Sequence, residues 1–335
     1  MINSSSILTD KFGRKHNYLR ISLTERCNLR CTYCMPAEGI ALTPRQHLMN
    51  ADEIYQIAKV FVENGVDKIR LTGGEPLVRK DFPEILAKLA TLNTTLTLTT
   101  NGVLVDRFIE DFKSCGVTTV NVSLDSLHPQ KFSRITRRNT FSKAFENIKL
   151  LQENGFNVKV NVVLIKGFND NEIVDFIKLT QTADIAVRFI EFMPFKGNDW
   201  DKSKLVTQQD ILSKAADFFG YQYLEVLKNE QNFTARAYRI SNFKGTFGII
   251  SSVTNPFCDS CNRIRLTANG RIKNCLFSNK ETDLLNALRS NEPLEPYIYK
   301  ALVNKQAVRA GMSDFQKLSD PQQHSENRSM LTIGG

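Results

Sequence analysis

The stretch Asn50–Pro76, NADEIYQIAKVFVENGVDKIRLTGGEP, holds one helix-to-strand passage, and its reading decides the fold. Asn50 is placed to cap a helix, with Glu53 reaching back to it, and Gly65 stops that helix. Ile54, Ile57, Ala58 and Phe61 share one face between them. A short β-branched run, Asp67 to Leu71, then closes on Thr72-Gly73-Gly74-Glu75-Pro76. The adjacent glycines of that turn let the backbone approach a ligand closely, and Glu75 is placed to accept from an ammonium.

Outward from this segment the rhythm repeats. Tyr18 to Leu23 precedes it as a strand, and Thr95 to Thr99, Thr118 to Leu124, Asn157 to Leu164 and Ile185 to Ile190 follow, each trailed by a stretch of helical period. Six βα units in series predict a parallel sheet, two units short of a closed barrel. The expected class is α/β, an incomplete (β/α)6 TIM-type barrel with an open side. Past about Gly220 the pattern changes to short strands, such as Phe233 to Ile240 and Arg263 to Thr267, then two helices and a polar tail from Ser319. This predicts a smaller C-terminal α+β domain, with the boundaries at 11–225 and 226–335.

The composition, 41% hydrophobic and 24% charged over 335 residues, is that of a globular chain with a sizeable core. The N-terminal residues lack the apolar core of a secretion signal, and no run reaches the ~18 apolar residues of a membrane span, so a cytoplasmic address is expected. A formal charge of +9 suits nucleic acid, an anionic surface or a small polyanion, and charge alone does not choose among them.

Six of the seven cysteines are clustered, Cys27, Cys31 and Cys34 after the first strand and Cys258, Cys261 and Cys275 near the end. In a reducing compartment such spacing points to metal ligation rather than disulfides. Three thiolates are one ligand short of a zinc site or a conventional 4Fe-4S cluster, which implies an open coordination position. A zinc site completed by a histidine remains an alternative for the first triplet, with His47 the nearest candidate, and a structural zinc knuckle for the second. Cys115, in the apolar stretch Phe108 to Gly116, reads as a small buried hydrophobe.

CNLRCTYC, Cys27 to Cys34 with its flanks, resembles the cluster motif of the radical S-adenosylmethionine (SAM) superfamily. The second triplet in CDSCNRIR, Cys275 and the terminal Gly334-Gly335 resemble the GTP 3',8-cyclase family in particular, over essentially the full chain. The resemblance implies two 4Fe-4S clusters, SAM as cofactor and GTP as substrate. It implies SAM contacts at Tyr33, Gly74, Ser123 and Met193, with Gly74 in the segment that meets the SAM amino group. GTP contacts fall at Arg20, Arg70, Thr99, Lys159, Arg263, Ile264 and Arg265. Arg263 and Arg265 share one side of a strand, where two guanidiniums can fork onto phosphate oxygens. Together with Gly334 and Gly335, whose family counterparts enter the active site and are needed for turnover, they form the catalytic set.

The implied reaction is the conversion of GTP to (8S)-3',8-cyclo-7,8-dihydroguanosine 5'-triphosphate, the opening step of molybdopterin biosynthesis. Its partners are a reducing electron donor and cyclic pyranopterin monophosphate synthase downstream. A homodimer is allowed for, and neither membrane nor nucleic acid is expected as a partner. Two other readings stay open: a peptide-modifying radical SAM enzyme with an auxiliary cluster, and a basic zinc protein that binds nucleic acid.

Overall fold

A computed structural model describes residues 7–36, 39–228, 232–324 and 326–334. Its first two thirds alternate strand and helix as the sequence pattern predicts. The strands are β1 (Tyr18–Ser22), β2 (Lys68–Thr72), β3 (Thr95–Thr100), β4 (Thr119–Ser123), β5 (Asn157–Leu164) and β6 (Ile185–Glu191). The helices are α1 (Ala51–Glu63), α2 (Phe82–Ala90), α3 (Ile109–Ser114), α4 (Pro129–Thr136), α5 (Phe141–Glu153), α6 (Ile173–Thr182) and α7 (Gln208–Phe219). The capping box of α1 forms: Glu53 N–H donates to Asn50 Oδ1 at 2.9 Å, and Asn50 N–H donates to Glu53 Oε2 at 2.8 Å.

Alternation along the strands separates two chemistries. Leu19 and Ile21, Ile69 and Leu71, Leu96 and Leu98, Val120 and Val122, and Val158 and Val160 turn one way. They are buried in one core with helix residues such as Ile54, Phe61, Phe82, Phe112 and Phe176. Their neighbours, two residues apart on the other face, are Tyr18, Arg20, Lys68, Arg70, Thr97, Thr99, Asn121, Ser123, Lys159 and Asn161. A strand with one apolar and one polar face puts a core on one side of the sheet and a polar surface on the other.

The C-terminal segment adds β7 (Leu224–Val226), β8 (Arg236–Ile240), β9 (Thr246–Ile250), β10 (Arg263–Leu266), β11 (Arg271–Lys273) and β12 (Thr282–Asp283). Helices α8 (Leu284–Arg289), α9 (Glu295–Val303), α10 (Phe315–Ser319) and α11 (Met330–Ile333) follow. These strands build no sheet of their own. They extend the first one at both ends, in the order β12-β11-β10-β1-β2-β3-β4-β5-β6-β9-β8-β7. β10 pairs parallel with β1 and β9 pairs parallel with β6, and antiparallel strands finish each edge.

The strand predicted at Phe233 to Ile240 is shorter and starts at Arg236. The tail read as polar is docked: Leu331 is buried, and Ile333 is buried in a second apolar cluster with Phe195, Val253, Phe277 and Leu318. Gly335 lies outside the described residues. Among the described residues no helix is long and apolar enough to cross a membrane.

Candidate active site

The polar face of the sheet encloses a cavity of about 620 Å³ lined by all six clustered cysteines. Strand register places its cations. Arg265, Arg20 and Arg70 stand side by side on β10, β1 and β2. One step back along the same face, Arg263, Tyr18 and Lys68 form a second row. Lys68 and Arg70 lie over the Tyr18 ring at 5.3 and 5.6 Å, and Arg263 lies over Phe257 at 4.7 Å. Farther round the sheet, Thr99 pairs in register with Asn121, Asn121 with Lys159, and Ser123 with Asn161. Nine lining side chains are basic (Arg20, Lys68, Arg70, Lys159, Arg188, Arg263, Arg265, Lys273, Arg309), against the acids Asp67 and Asp125. Much of the chain's positive charge is therefore gathered at one site.

The cations oppose one another. Burial and Arg265 push the Arg20 guanidinium well below its usual pKa, and burial and Arg263 bring Arg265 down to about 10. Buried like charges at this spacing are relieved by an anion. Among the described residues, Thr99 Oγ1, Asn121 Oδ1, Asn161 Oδ1 and Arg263 Nη2 are buried without a hydrogen-bond partner, which leaves polar capacity in the cavity wall for a ligand.

The first cysteine loop leaves β1 and is held from two directions. Arg30 N–H and Thr32 N–H each donate at 2.9 Å to carbonyls at the end of α4, those of Thr136 and Ile135. Opposite, Gly74 N–H donates to Thr24 O at 2.7 Å and Glu75 N–H to Arg26 O at 2.8 Å. A Cβ on Gly73 would lie 2.7 Å from Thr24 O, and one on Gly74 2.4 Å from Arg26 O. These glycines permit a close approach to the cysteine loop. The reading of Glu75 is corrected: its carboxylate accepts from Leu77 N–H, Thr100 Oγ1 and Asn101 N–H at 3.1, 2.7 and 2.7 Å, and braces the loop. Gly74 itself lines the cavity, as do Tyr33, Ser123 and Met193. Tyr33 Oη donates to Asp125 Oδ2 at 2.6 Å, and Asp125 Oδ1 accepts from Val163 N–H at 2.8 Å, which fixes the ring.

All six clustered thiols are free. Among the described residues no three His, Cys, Asp or Glu side chains are grouped as around one metal ion, whose thiolates lie within ~2.3 Å of a single point. A 4Fe-4S cube takes each thiolate on a different iron and does not ask for that convergence.

The chain is similar to known proteins over nearly its whole length. Residues 21–180 match the model of the Radical SAM superfamily, and residues 185–310 match that of Molybdenum Cofactor Synthesis C. The mitochondrial GTP 3',8-cyclase of Arabidopsis thaliana is 45% identical over 337 residues, covering 99% of this chain and 84% of that protein. The GTP 3',8-cyclase of Listeria welshimeri is 43% identical over 304 residues, covering 89% of this chain and 91% of its own.

The chain belongs to the GTP 3',8-cyclase family of radical SAM proteins.

Against molybdenum cofactor biosynthesis protein 1 of Bos taurus, 44% identical, this family member spans about half the relative's length, 52%. Streptococcus suis SuiB, 17% identical, superposes with a TM-score of 0.63 over 88% of this chain and 68% of its own, a likeness of fold alone. The shared architecture is an α/β fold with one large mixed sheet.

In this cyclase-family chain the tail reaches the cavity. Leu331 and Met330 line it, and Gly334 O accepts from Arg265 Nη1 at 3.1 Å. Gly334 adopts φ +82°, and a Cβ there would lie 2.8 Å from Ser22 Cβ at the end of β1. Ile264 is fully buried on the apolar face of β10, so the structure does not bring its side chain to the cavity with Arg263 and Arg265. Cys115 is partly buried against the core and away from the cavity.

Sequence reasoning missed Lys68 and Arg188. Their signal was available: Lys68 sits two residues from Arg70 on the same strand, and Arg188 alternates with the buried Val187 and Phe189 in IAVRFIE. It missed Lys273 and Lys305 as well, whose burial beside the second triplet no local pattern announces.

Proposed function

We propose that this chain converts GTP to (8S)-3',8-cyclo-7,8-dihydroguanosine 5'-triphosphate, opening molybdopterin biosynthesis. One observation carries the reading: a single cavity is lined by both cysteine triplets and by rows of register-matched cations. Cys27, Cys31 and Cys34 would hold a 4Fe-4S cluster with one iron open to SAM, and that cluster would supply the one-electron chemistry by which SAM is cleaved and hydrogen is taken from the ribose of GTP.

The chain's own residues position the reactants. Tyr33, held by Asp125, together with Gly74, Ser123 and Met193 would flank SAM. Arg20, Arg70, Arg263 and Arg265 would take the triphosphate, whose negative charge relieves their mutual repulsion. Thr99 and Lys159 would hold the rest of the nucleotide, with Cys258, Cys261 and Cys275 carrying a second 4Fe-4S cluster beside it. The docked tail, through Gly334, would shield the site from water, so that ribose C3' stays close to both the radical carbon and C8.

On the same reading, residues 11–225 form a partial barrel and 226–335 a C-terminal unit. An external reductant feeds the first cluster, and the product passes to cyclic pyranopterin monophosphate synthase. Homodimerisation is compatible with it, and a reducing cytoplasm suits seven free thiols. The test is anaerobic incubation of reconstituted protein with SAM, a reductant and each nucleoside triphosphate in turn, followed by mass spectrometry. GTP alone should yield 5'-deoxyadenosine and a cyclised nucleotide in equal amounts; SAM cleavage with GTP left intact would sink the substrate assignment.

A further inference from the structure

Lys305, just beyond α9, is 3% exposed, and its ammonium has three hydrogen-bond partners, one for each N–H. They are His16 Nε2 at 2.8 Å, the Arg263 carbonyl at 3.1 Å and Cys261 Sγ at 3.5 Å. His16 is fully buried, with Nδ1 3.2 Å from the Leu8 carbonyl. A carbonyl can only accept, so Nδ1 carries the proton and Nε2 offers its lone pair to Lys305.

The acid nearest this pair does not serve Lys305. Asp10 Oδ2 is 3.8 Å from His16 Nε2, but the carboxylate accepts from Arg14 Nε at 2.6 Å and from the backbone N–H groups of Phe12 and Arg14. Of the three groups that Lys305 touches, only the Cys261 sulfur can carry negative charge. A buried ammonium without a counter-charge is costly, so this pocket is complete when Cys261 is a thiolate, its state as a metal ligand.

At the first triplet the sulfur contacts are neutral. Leu29 N–H donates to Cys27 Sγ at 3.4 Å, and Asn101 Nδ2 lies 3.8 Å from it. The buried charges near those thiols are the carboxylates of Glu75 and Asp125.

We infer that Lys305 is a positioning residue for the C-terminal cluster: held by His16, it donates to the Cys261 sulfur and sets that cluster's reduction potential above that of the N-terminal cluster. Hydrogen bonds and positive charge at a ligand sulfur favour the reduced, more negative state of a cluster, which fixes the direction. The inference rests on the reading that Cys258, Cys261 and Cys275 hold an iron-sulfur cluster.

The test uses the full chain, reconstituted anaerobically, with iron and sulfide counted and each cluster followed by EPR during a redox titration. Replacing Cys27, Cys31 and Cys34 together with Ser isolates the C-terminal signal. A wild-type chain holding iron for one cluster only, or zinc in the second site, removes the underlying reading before any Lys305 variant is made. With two clusters present, Lys305→Met should shift the C-terminal midpoint to more negative potential and leave the N-terminal one in place, and Lys305→Arg should restore it in part. An unchanged C-terminal midpoint in a Lys305→Met protein that retains both clusters overturns the proposal. If Lys305→Met loses the C-terminal iron, Lys305→Arg decides: retention supports the need for charge, whereas loss in both assigns Lys305 to packing alone.

Discussion

Cys27, Cys31 and Cys34 sit among groups that resist negative charge on sulfur, whereas Cys261 sits among groups that invite it. Burial and Glu75 push the Cys27 thiol up to about 11, and burial, Cys34 and Asp125 push Cys31 up as well. Burial also raises Cys261, but Lys305 and Arg263 outweigh it and bring that thiol down to about 6. The first triplet and Cys261 of the second are thus set in opposite fields, while burial pushes the Cys258 thiol up as it does those of the first triplet. Glu75, Asp125 and Lys305 are remote in sequence from the cysteines they act on, so ligand spacing does not reveal the contrast. Equal ligand sets need not mean equal electronic tasks.

The largest effect that bears on this contrast is removal of one site. Cys27→Ser should abolish 5'-deoxyadenosine formation and leave about half of the bound iron, since three ligands are already the minimum for an open cluster. Measuring iron alongside SAM cleavage checks it: full iron content with no cleavage would show that Cys27 is no ligand. Cys258→Ser should also halve the iron but leave SAM cleavage in place, and equal loss of cleavage in the two variants would break the division of labour.

Next comes the acid that braces the first loop. Burial raises Glu75 from 4.5 to about 7 despite its three hydrogen-bond donors. A carboxyl held above its unfolded pKa keeps its proton longer in the folded state. It therefore costs the apoprotein stability as pH rises from about 4.5 to about 7, and the cost is constant above that window. The full shift is worth about 3 kcal/mol. Glu75→Gln should flatten this part of the profile, so that urea unfolding at pH 5 and pH 8 differs less than in the wild type. A profile that does not change on substitution would show that Glu75 is charged throughout.

Smaller effects belong to the cationic side. Arg265→Ala removes a charged donor of the expected triphosphate site and should weaken GTP binding about 10- to 100-fold, with SAM binding unchanged by calorimetry. Parallel weakening of both ligands would place Arg265 in a general structural role. Gly334→Ala forces a side chain onto φ +82° against Ser22 and Thr72. At ~1–2 kcal/mol for that backbone state, turnover should fall about 5- to 30-fold with the iron content intact. Full activity would mean that the tail leaves its cradle in the working enzyme.

Much of this was legible in the sequence. The capping box at Asn50 and the six alternating strands are local signals, and the strands fall within a residue or two of their predicted positions. Cysteine spacing marked both triplets, and resemblance brought Arg20, Arg70, Thr99, Lys159, Arg263 and Arg265 to what proves to be one cavity. Pairing was not legible. Nothing in Arg263–Leu266 says that it pairs with β1, and nothing in Thr246–Ile250 says that it pairs with β6, because partner choice depends on the completed tertiary structure. The role of Glu75 was misjudged for a related reason: a carboxylate beside a ligand loop looks the same in sequence whether it faces the ligand or braces the loop. Lys305 and His16, 289 residues apart, carry no shared local signature.

The pairing of β10 with β1 also shapes how the molecule is made. Asn262 Nδ2 donates to Asn17 Oδ1 at the foot of that ladder, across 245 residues of chain. A nascent chain that has already emitted all six βα units still presents two bare parallel edges, on β1 and on β6, and must wait for the remaining polypeptide to cover them. Contacts this distant are slow to form, and uncovered edges recruit other chains in the meantime. A fragment ending at residue 225 should therefore aggregate rather than fold as a smaller module. Mutations that slow the arrival of β10 should then show as poor yield before they show as poor catalysis.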